Sequence, residues 1–99
     1  MYTVYQHKNK INGKVYIGIT SRKPEERWGS NGINYKSSPH FYAAIQKYGW
    51  DNFEHIIIKD HLTAEQASLL EKELIQQYDS LNPNKGYNNR DLSVWYLSE

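Results

Sequence analysis

A chain of 99 residues carrying 12 Lys and Arg against 11 Asp and Glu has a formal charge of only +1, so its overall balance does not demand a polyanionic partner. The length suits one domain with a small core, and the absence of cysteine excludes disulfides, a thiol nucleophile and a cysteine metal site. No apolar stretch is long enough to span a bilayer and no basic, hydrophobic leader is present, so a soluble intracellular protein without a membrane partner is expected. The charge is unevenly spread. Residues 1 to 48 hold eight Lys or Arg and two Glu, a balance of +6; the remainder holds four basic and nine acidic residues, a balance of −5. Such a distribution can turn one side of a neutral domain toward a polyanion, although surface charges also cluster without purpose.

The first elements are two short aromatic and β-branched runs, containing Thr3-Val4-Tyr5 and Tyr16-Ile17-Gly18, on either side of Asn12-Gly13. Asn-Gly tolerates the positive φ angles of a two-residue type I′ loop, which predicts a β-hairpin. With that loop, Tyr5 falls opposite Thr20, His7 opposite Gly18 and Asn9 opposite Tyr16. Alternation then puts Tyr5, His7, Tyr16 and Thr20 on a polar face, and Tyr2, Val4, Val15, Ile17 and Ile19 on the core face.

Residues 21 to 28 read as a short helix introduced by Ser21 or Lys23, with Glu25 and Glu26 in the first turn, where the helix dipole favours acids, and Gly29 at its end. Residues 29 to 38, rich in Ser, Asn and Gly, are expected to form a loop. Ser38 as N-cap and Pro39 as the first helical residue open a second helix, in which Phe41, Ala44, Ile45 and Tyr48 recur at helical spacing before Gly49 closes it. β-branched density over Phe53 to Lys59 suits a third, central strand. Thr63-Ala64-Glu65-Gln66 is a capping box for a long helix reaching Tyr78, and Asn82-Pro83-Asn84-Lys85-Gly86 is a turn. The expected architecture is α+β, a three-stranded antiparallel sheet flanked by helices. It should occupy residues 1 to 90, with 91 to 99 an amphipathic, strand-like tail of unassigned role that could dock on the domain or on a second copy.

Within the long helix, Ala67, Leu70, Leu74 and Tyr78 define an apolar stripe, and Glu71 sits inside it. An ionised carboxylate on such a face must be paired, shifted in pKa or bound to a cation; a buried ion pair is the ordinary alternative. Arg27, beside Trp28, reads equally as a stacked surface residue. With nine Tyr in the chain, Tyr5 and Tyr16 are packing candidates first, and a phenol with an ordinary pKa of about 10 needs nearby positive charge to act as a base near neutrality.

These blocks resemble, in order, the catalytic domain of the GIY-YIG nucleases: the two tripeptides, Arg27 in Glu25-Glu26-Arg27-Trp28, the run from Ile45 to Phe53, Glu71 in a helix, and Gly86-Tyr87-Asn88. Lys47-Tyr48-Gly49-Trp50-Asp51-Asn52-Phe53 is most similar to the phage and homing-endonuclease branch. The chain departs from the pattern where Thr3-Val4-Tyr5 replaces Gly-Ile-Tyr, and where Asn31 stands in the neighbourhood in which family members often carry a His.

The resemblance implies a DNA endonuclease hydrolysing phosphodiester bonds with one divalent ion, magnesium or manganese, in the cytoplasm of a bacterial or phage-infected cell. It makes Glu71 the metal ligand, puts Arg27 on the scissile phosphate, and gives Tyr5 and Tyr16 the activation and positioning of water, with Tyr5 the preferred base. Asn88 matches a family Asn near the site. His40 is a candidate proton-relay group or an ordinary helix cap, and His7 shares the face of Tyr5; His55 and His61 show no partner spacing. DNA is expected on Lys8, Lys10, Lys14, Arg22, Lys23 and Lys36, with the acidic half facing away and target choice left to a separate DNA-recognition partner or to self-association. A binding module of the same fold that has lost catalysis, and a protein-interaction domain, are the alternatives.

Overall fold

The computed structural model describes residues 1 to 88; the expected tail lies outside the described residues. Three antiparallel strands, β1 (Tyr2–Asn9), β2 (Val15–Thr20) and β3 (Phe53–Leu62), form one sheet in the order β2-β1-β3. The α+β architecture is as expected, but β1 is central and β3 lies at an edge. The sequence of β3 misled because its β-branched residues are only half used: Ile56 and Ile57 remain exposed, and Phe53 and Leu62 at its two ends are buried.

The hairpin register also differs. Tyr5 pairs with Gly18, His7 with Tyr16 and Thr3 with Thr20. The loop is longer than two residues, because the last pair is Asn9 with Lys14, joined by the Asn9 N–H to the Lys14 carbonyl at 2.9 Å. Of the two expected loop residues only Gly13 has positive φ. Side chains close the loop instead: Asn9 Oδ1 accepts from the Ile11 N–H and Asn12 Oδ1 from the Lys14 N–H, each at 2.9 Å. Since the displacement is by two residues, every side chain keeps its expected face.

Both faces are covered, which the reading of one face as polar did not anticipate. On one, α3 (Ala64–Tyr78) lays Ala67 and Ile75 against Val4, Val15 and Ile17. Its capping box forms as expected, Gln66 N–H donating to Thr63 Oγ1 at 3.1 Å and Thr63 N–H to Gln66 Oε1 at 3.0 Å. The buried line is Ala67, Glu71 and Ile75; Leu70 and Leu74 are its half-buried flanks and Tyr78 is exposed. On the other face lie α1 (Pro24–Trp28) and α2 (Pro39–Tyr48). Between them the expected loop contains a 3-10 segment, Ser30–Tyr35, that delivers Tyr35 into the core. Ser38 precedes α2 as expected but makes no side-chain cap bond, while Gly29 and Gly49 end their helices at positive φ.

Candidate active site

Tyr5 projects from the central strand toward the outer strand, where it meets no side chain because its cross-strand partner is Gly18. A Cβ at that position would stand 2.3 Å from the Tyr5 ring and 2.4 Å from its hydroxyl. Glycine here is therefore the condition for laying a phenol across β2 to the sheet edge. Tyr16, on β2, stacks on Phe41 with ring centroids 4.5 Å apart and meets Tyr35 edge-on at 5.3 Å. Arg27, from α1, sits over the Tyr35 ring at 4.6 Å and donates to the Asn34 carbonyl at 3.3 Å. Stacking thus describes the residue correctly, and it also fixes the guanidinium beside the phenols: the charges of both Arg27 and Glu71 act on Tyr5 and on Tyr16. The structure brings these four residues together from β1, β2, α1 and α3.

Glu71 is buried, its Oε1 has no hydrogen-bond partner, and burial alone pushes its carboxyl up to about 8. Among the described residues no ion pair relieves it, so they do not supply the buried salt bridge of the structural alternative. The phenols carry a second correction. Positive charge from Arg27 does pull Tyr5 and Tyr16 down, but burial outweighs it and both end above the ordinary phenol value. Neither is a ready phenolate.

Asn88 spends its whole amide on the backbone of Ile17, donating from Nδ2 to the carbonyl at 2.8 Å and accepting at Oδ1 from the N–H at 2.9 Å. It pins the edge strand beside Gly18. His40 is exposed on the first turn of α2, with its ring 5.2 Å from Tyr87, and lines a cleft of about 360 Å³ with Asn88, Pro39, Leu81 and Pro83.

Of the basic residues, Lys8, Lys10, Arg22, Lys23 and Lys36 are exposed and Lys14 is half-buried. The Lys10 ammonium donates to the Asp51 carbonyl at 3.2 Å, Lys14 lies over the Tyr87 ring at 5.8 Å, and Arg22 donates to the Glu26 carbonyl at 3.2 Å. The acidic half does not all face away. Glu54 is the register partner of Lys8, and the Glu71 charge acts on the candidate site's phenols.

Sequence reasoning missed a line of buried polar rings. His7 is fully buried; its Nδ1 lies 2.8 Å from His55 Nδ1 and its Nε2 2.9 Å from the Tyr35 hydroxyl, which in turn lies 3.0 Å from that of Tyr5. Burial first, then the neighbouring His55 and Arg27, depresses His7 to about 2, so it is neutral. His55, dismissed for lack of sequence spacing, found its partner across the β1–β3 ladder, where it is paired with His7. The one available signal was that His7 shares the face of Tyr5.

The GIY-YIG catalytic domain family matches residues 1–88. Two proteins of Enterobacteria phage T4 named as endonucleases are similar: segE, 37% identical over 86 residues, and segD, 33% identical over 87. The matches cover 87% and 82% of this chain but 38% and 36% of those relatives, so the chain spans under half their length. Among solved structures, the catalytic domain of homing endonuclease I-TevI superposes with a TM-score of 0.74 at 26% identity, over 92% of this chain and 100% of that one. The chain belongs to the GIY-YIG catalytic-domain family.

Proposed function

We propose that this domain is a divalent-metal-dependent DNA endonuclease that hydrolyses phosphodiester bonds where β2 ends the sheet. The observation that carries the reading is the Glu71 carboxylate, buried with an unpartnered oxygen where Arg27 and two phenols converge. The endonuclease names of segE, segD and I-TevI support DNA as the substrate. A partnerless buried carboxylate with a raised pKa suits a hard cation that takes oxygen ligands, and among the described residues no group of three or more His, Cys, Asp or Glu offers a fuller cage. That would suit magnesium or manganese, with Glu71 the residue of this chain that would hold the ion. Such an ion, when bound, supplies positive charge to the phosphate and to the departing 3′ oxygen.

The chain's own residues do the rest. Arg27, held by the Tyr35 ring, presents the remaining N–H groups of its planar guanidinium to the developing phosphorane charge. Tyr5 takes a proton from the attacking water, and Tyr16 orients that water from the facing strand. Asn88 holds the edge strand in place, and His40 meets the substrate at the cleft mouth. Lys8, Lys10, Lys14, Arg22, Lys23 and Lys36 neutralise backbone phosphates, with target selection supplied by a separate recognition segment or partner.

Incubation of the purified protein with supercoiled plasmid, in magnesium and then in EDTA, tests this directly. Metal-dependent nicking that disappears in a folded Glu71→Gln variant supports the reading. DNA retention without nicking would favour a binding module, and nicking by Glu71→Gln would remove the carboxylate from the site.

A further inference from the structure

The Trp50 carbonyl sets the direction of every proton in the line of rings behind Tyr5. His55 Nε2 lies 3.2 Å from that carbonyl, which can only accept, so Nε2 carries the proton. Neutral His55 then has a bare Nδ1, and the 2.8 Å contact requires His7 Nδ1 to donate to it. Neutral His7 is left with a bare Nε2, which accepts from the Tyr35 hydroxyl at 2.9 Å. The 3.0 Å contact has the Tyr35 hydroxyl donating to Tyr5 as it stands; hydroxyl protons rotate, so once Tyr35 turns its only proton to His7 the contact closes with Tyr5 donating to Tyr35. The order then runs one way, from Tyr5 inward to His55.

We propose that Tyr35, His7 and His55 form a proton relay that lets Tyr5 accept a proton from the attacking water without ever becoming a phenolate. The proposal rests on the reading of Tyr5 as the base. As the water O–H breaks, its electron pair stays on the oxygen that attacks phosphorus and its proton joins Tyr5. The former Tyr5 proton passes to Tyr35, the Tyr35 proton to His7 Nε2, and the His7 Nδ1 proton to His55 Nδ1. His55 ends as an imidazolium with both nitrogens donating, and Tyr35 now donates to Tyr5. Loss of the outward Tyr5 proton after product release runs the line back. No oxidant or further reactant is involved.

The surroundings suit the task. His7 is enclosed by the rings of Tyr5, Trp28, Tyr35, Phe41 and Trp50, which exclude water that would short-circuit the line. His55 is half-buried and stacks on Trp50 at 4.1 Å. Burial and Lys10 depress its pKa, while the Trp50 carbonyl and Asp51 raise it; the net is downward, so His55 is neutral and ready to accept at pH 7. His7 and His55 act through Tyr5 and are positioning residues, not groups that touch DNA.

His55→Gln keeps an acceptor for His7 and a donor for Trp50 but cannot take up a proton. We expect kcat to fall about 10²-fold with KM unchanged, the acid limb of the pH–rate profile to disappear, and the solvent-isotope proton inventory to change from bowed to linear. Wild-type kcat, or a loss of kcat with the pH profile and bowed inventory intact, would overturn the relay. Independently of any variant's folding, ¹⁵N NMR of the wild type should find His7 as the Nδ1–H tautomer and His55 as the Nε2–H tautomer; His7 protonated at Nε2 would break the line. An active Tyr5→Phe would sink the assignment of the base itself, whereas an inactive Tyr5→Phe beside a fully active His55→Gln would sink only the relay.

Discussion

On one face of the sheet Val4, Val15 and Ile17 pack with Ala67 and Ile75, and the Glu71 carboxyl buried beside them has an oxygen without a partner among the described residues. On the other face Tyr5 and His7 pack with Tyr35, Phe41 and Ala44, and there, the Trp28 indole N–H aside, the ring nitrogens of His7 and the hydroxyls of Tyr35 and Tyr5 are bonded to one another in a line. The same burial therefore does opposite chemical work. On the aliphatic side it creates an isolated carboxyl that holds its proton until something positive arrives. On the aromatic side it creates a connected set of neutral groups along which protons can shift. Gly18 lets the Tyr5 phenol lie across β2, where the Glu71 charge from the other layer acts on both Tyr5 and Tyr16.

The largest effects should come from cutting the aromatic side at its working end. Tyr5→Phe, Tyr16→Phe and Arg27→Ala should each lower the cleavage rate by about 10²-fold or more while DNA affinity, measured by filter binding, changes little. Normal turnover in both Phe variants would reduce the phenols to packing.

Next in size is Gly18→Ala. The added carbon would overlap the Tyr5 ring, so we expect a loss of stability of about 1–3 kcal/mol in urea melts, together with lost cleavage, as Tyr5 is pushed from the edge. An alanine variant as stable and active as the parent would mean that the ring has room to move.

The comparison sharpens in the pH dependence of stability, where the two faces have opposite signs. Glu71 has its folded pKa raised from 4.5 to about 8, so in metal-free buffer the folded state binds the extra proton and stability falls as pH rises between those values. His7 is depressed from 6.5 to about 2, so stability falls as pH drops below 6.5. The two slopes offset each other between 4.5 and 6.5, so thermal melts in EDTA should lose Tm on both sides of a mildly acidic optimum in that range. Glu71→Gln should remove only the alkaline-side loss, raising Tm at pH 8. A variant less stable than the parent at pH 8 would show that the carboxylate has a structural partner after all.

The smallest effects are expected on the surface. If phosphate contacts supply the affinity, binding should weaken with salt by a slope of about −0.9 per phosphate, and charge reversal at Lys10 and Lys23 should cost more than reversal at Lys59. Equal costs would put the DNA on another face.

Local signals carried the sequence reading a long way. The capping box at Thr63 and Gln66, the glycine stops at Gly29 and Gly49, and the burial of Glu71 follow from residue chemistry within a helical turn or two, and all are seen in the fold. Strand order and hairpin register did not follow. Asn9 and Asn12 close a longer loop with their side chains, and nothing local to Phe53 through Leu62 says that the run lies at an edge. The His7–His55 contact joins residues 48 positions apart through a ladder that had first to be known, and Tyr35 reached the core from a segment whose composition reads as loop.

The most direct test is the protonation state of Glu71 itself. Carboxyl ¹³C NMR, followed against pH in EDTA and again in saturating magnesium, should give a midpoint near 8 without the ion and one displaced well downward with it. A carboxyl that titrates in the ordinary range in EDTA, or one that magnesium leaves unmoved, would contradict the account.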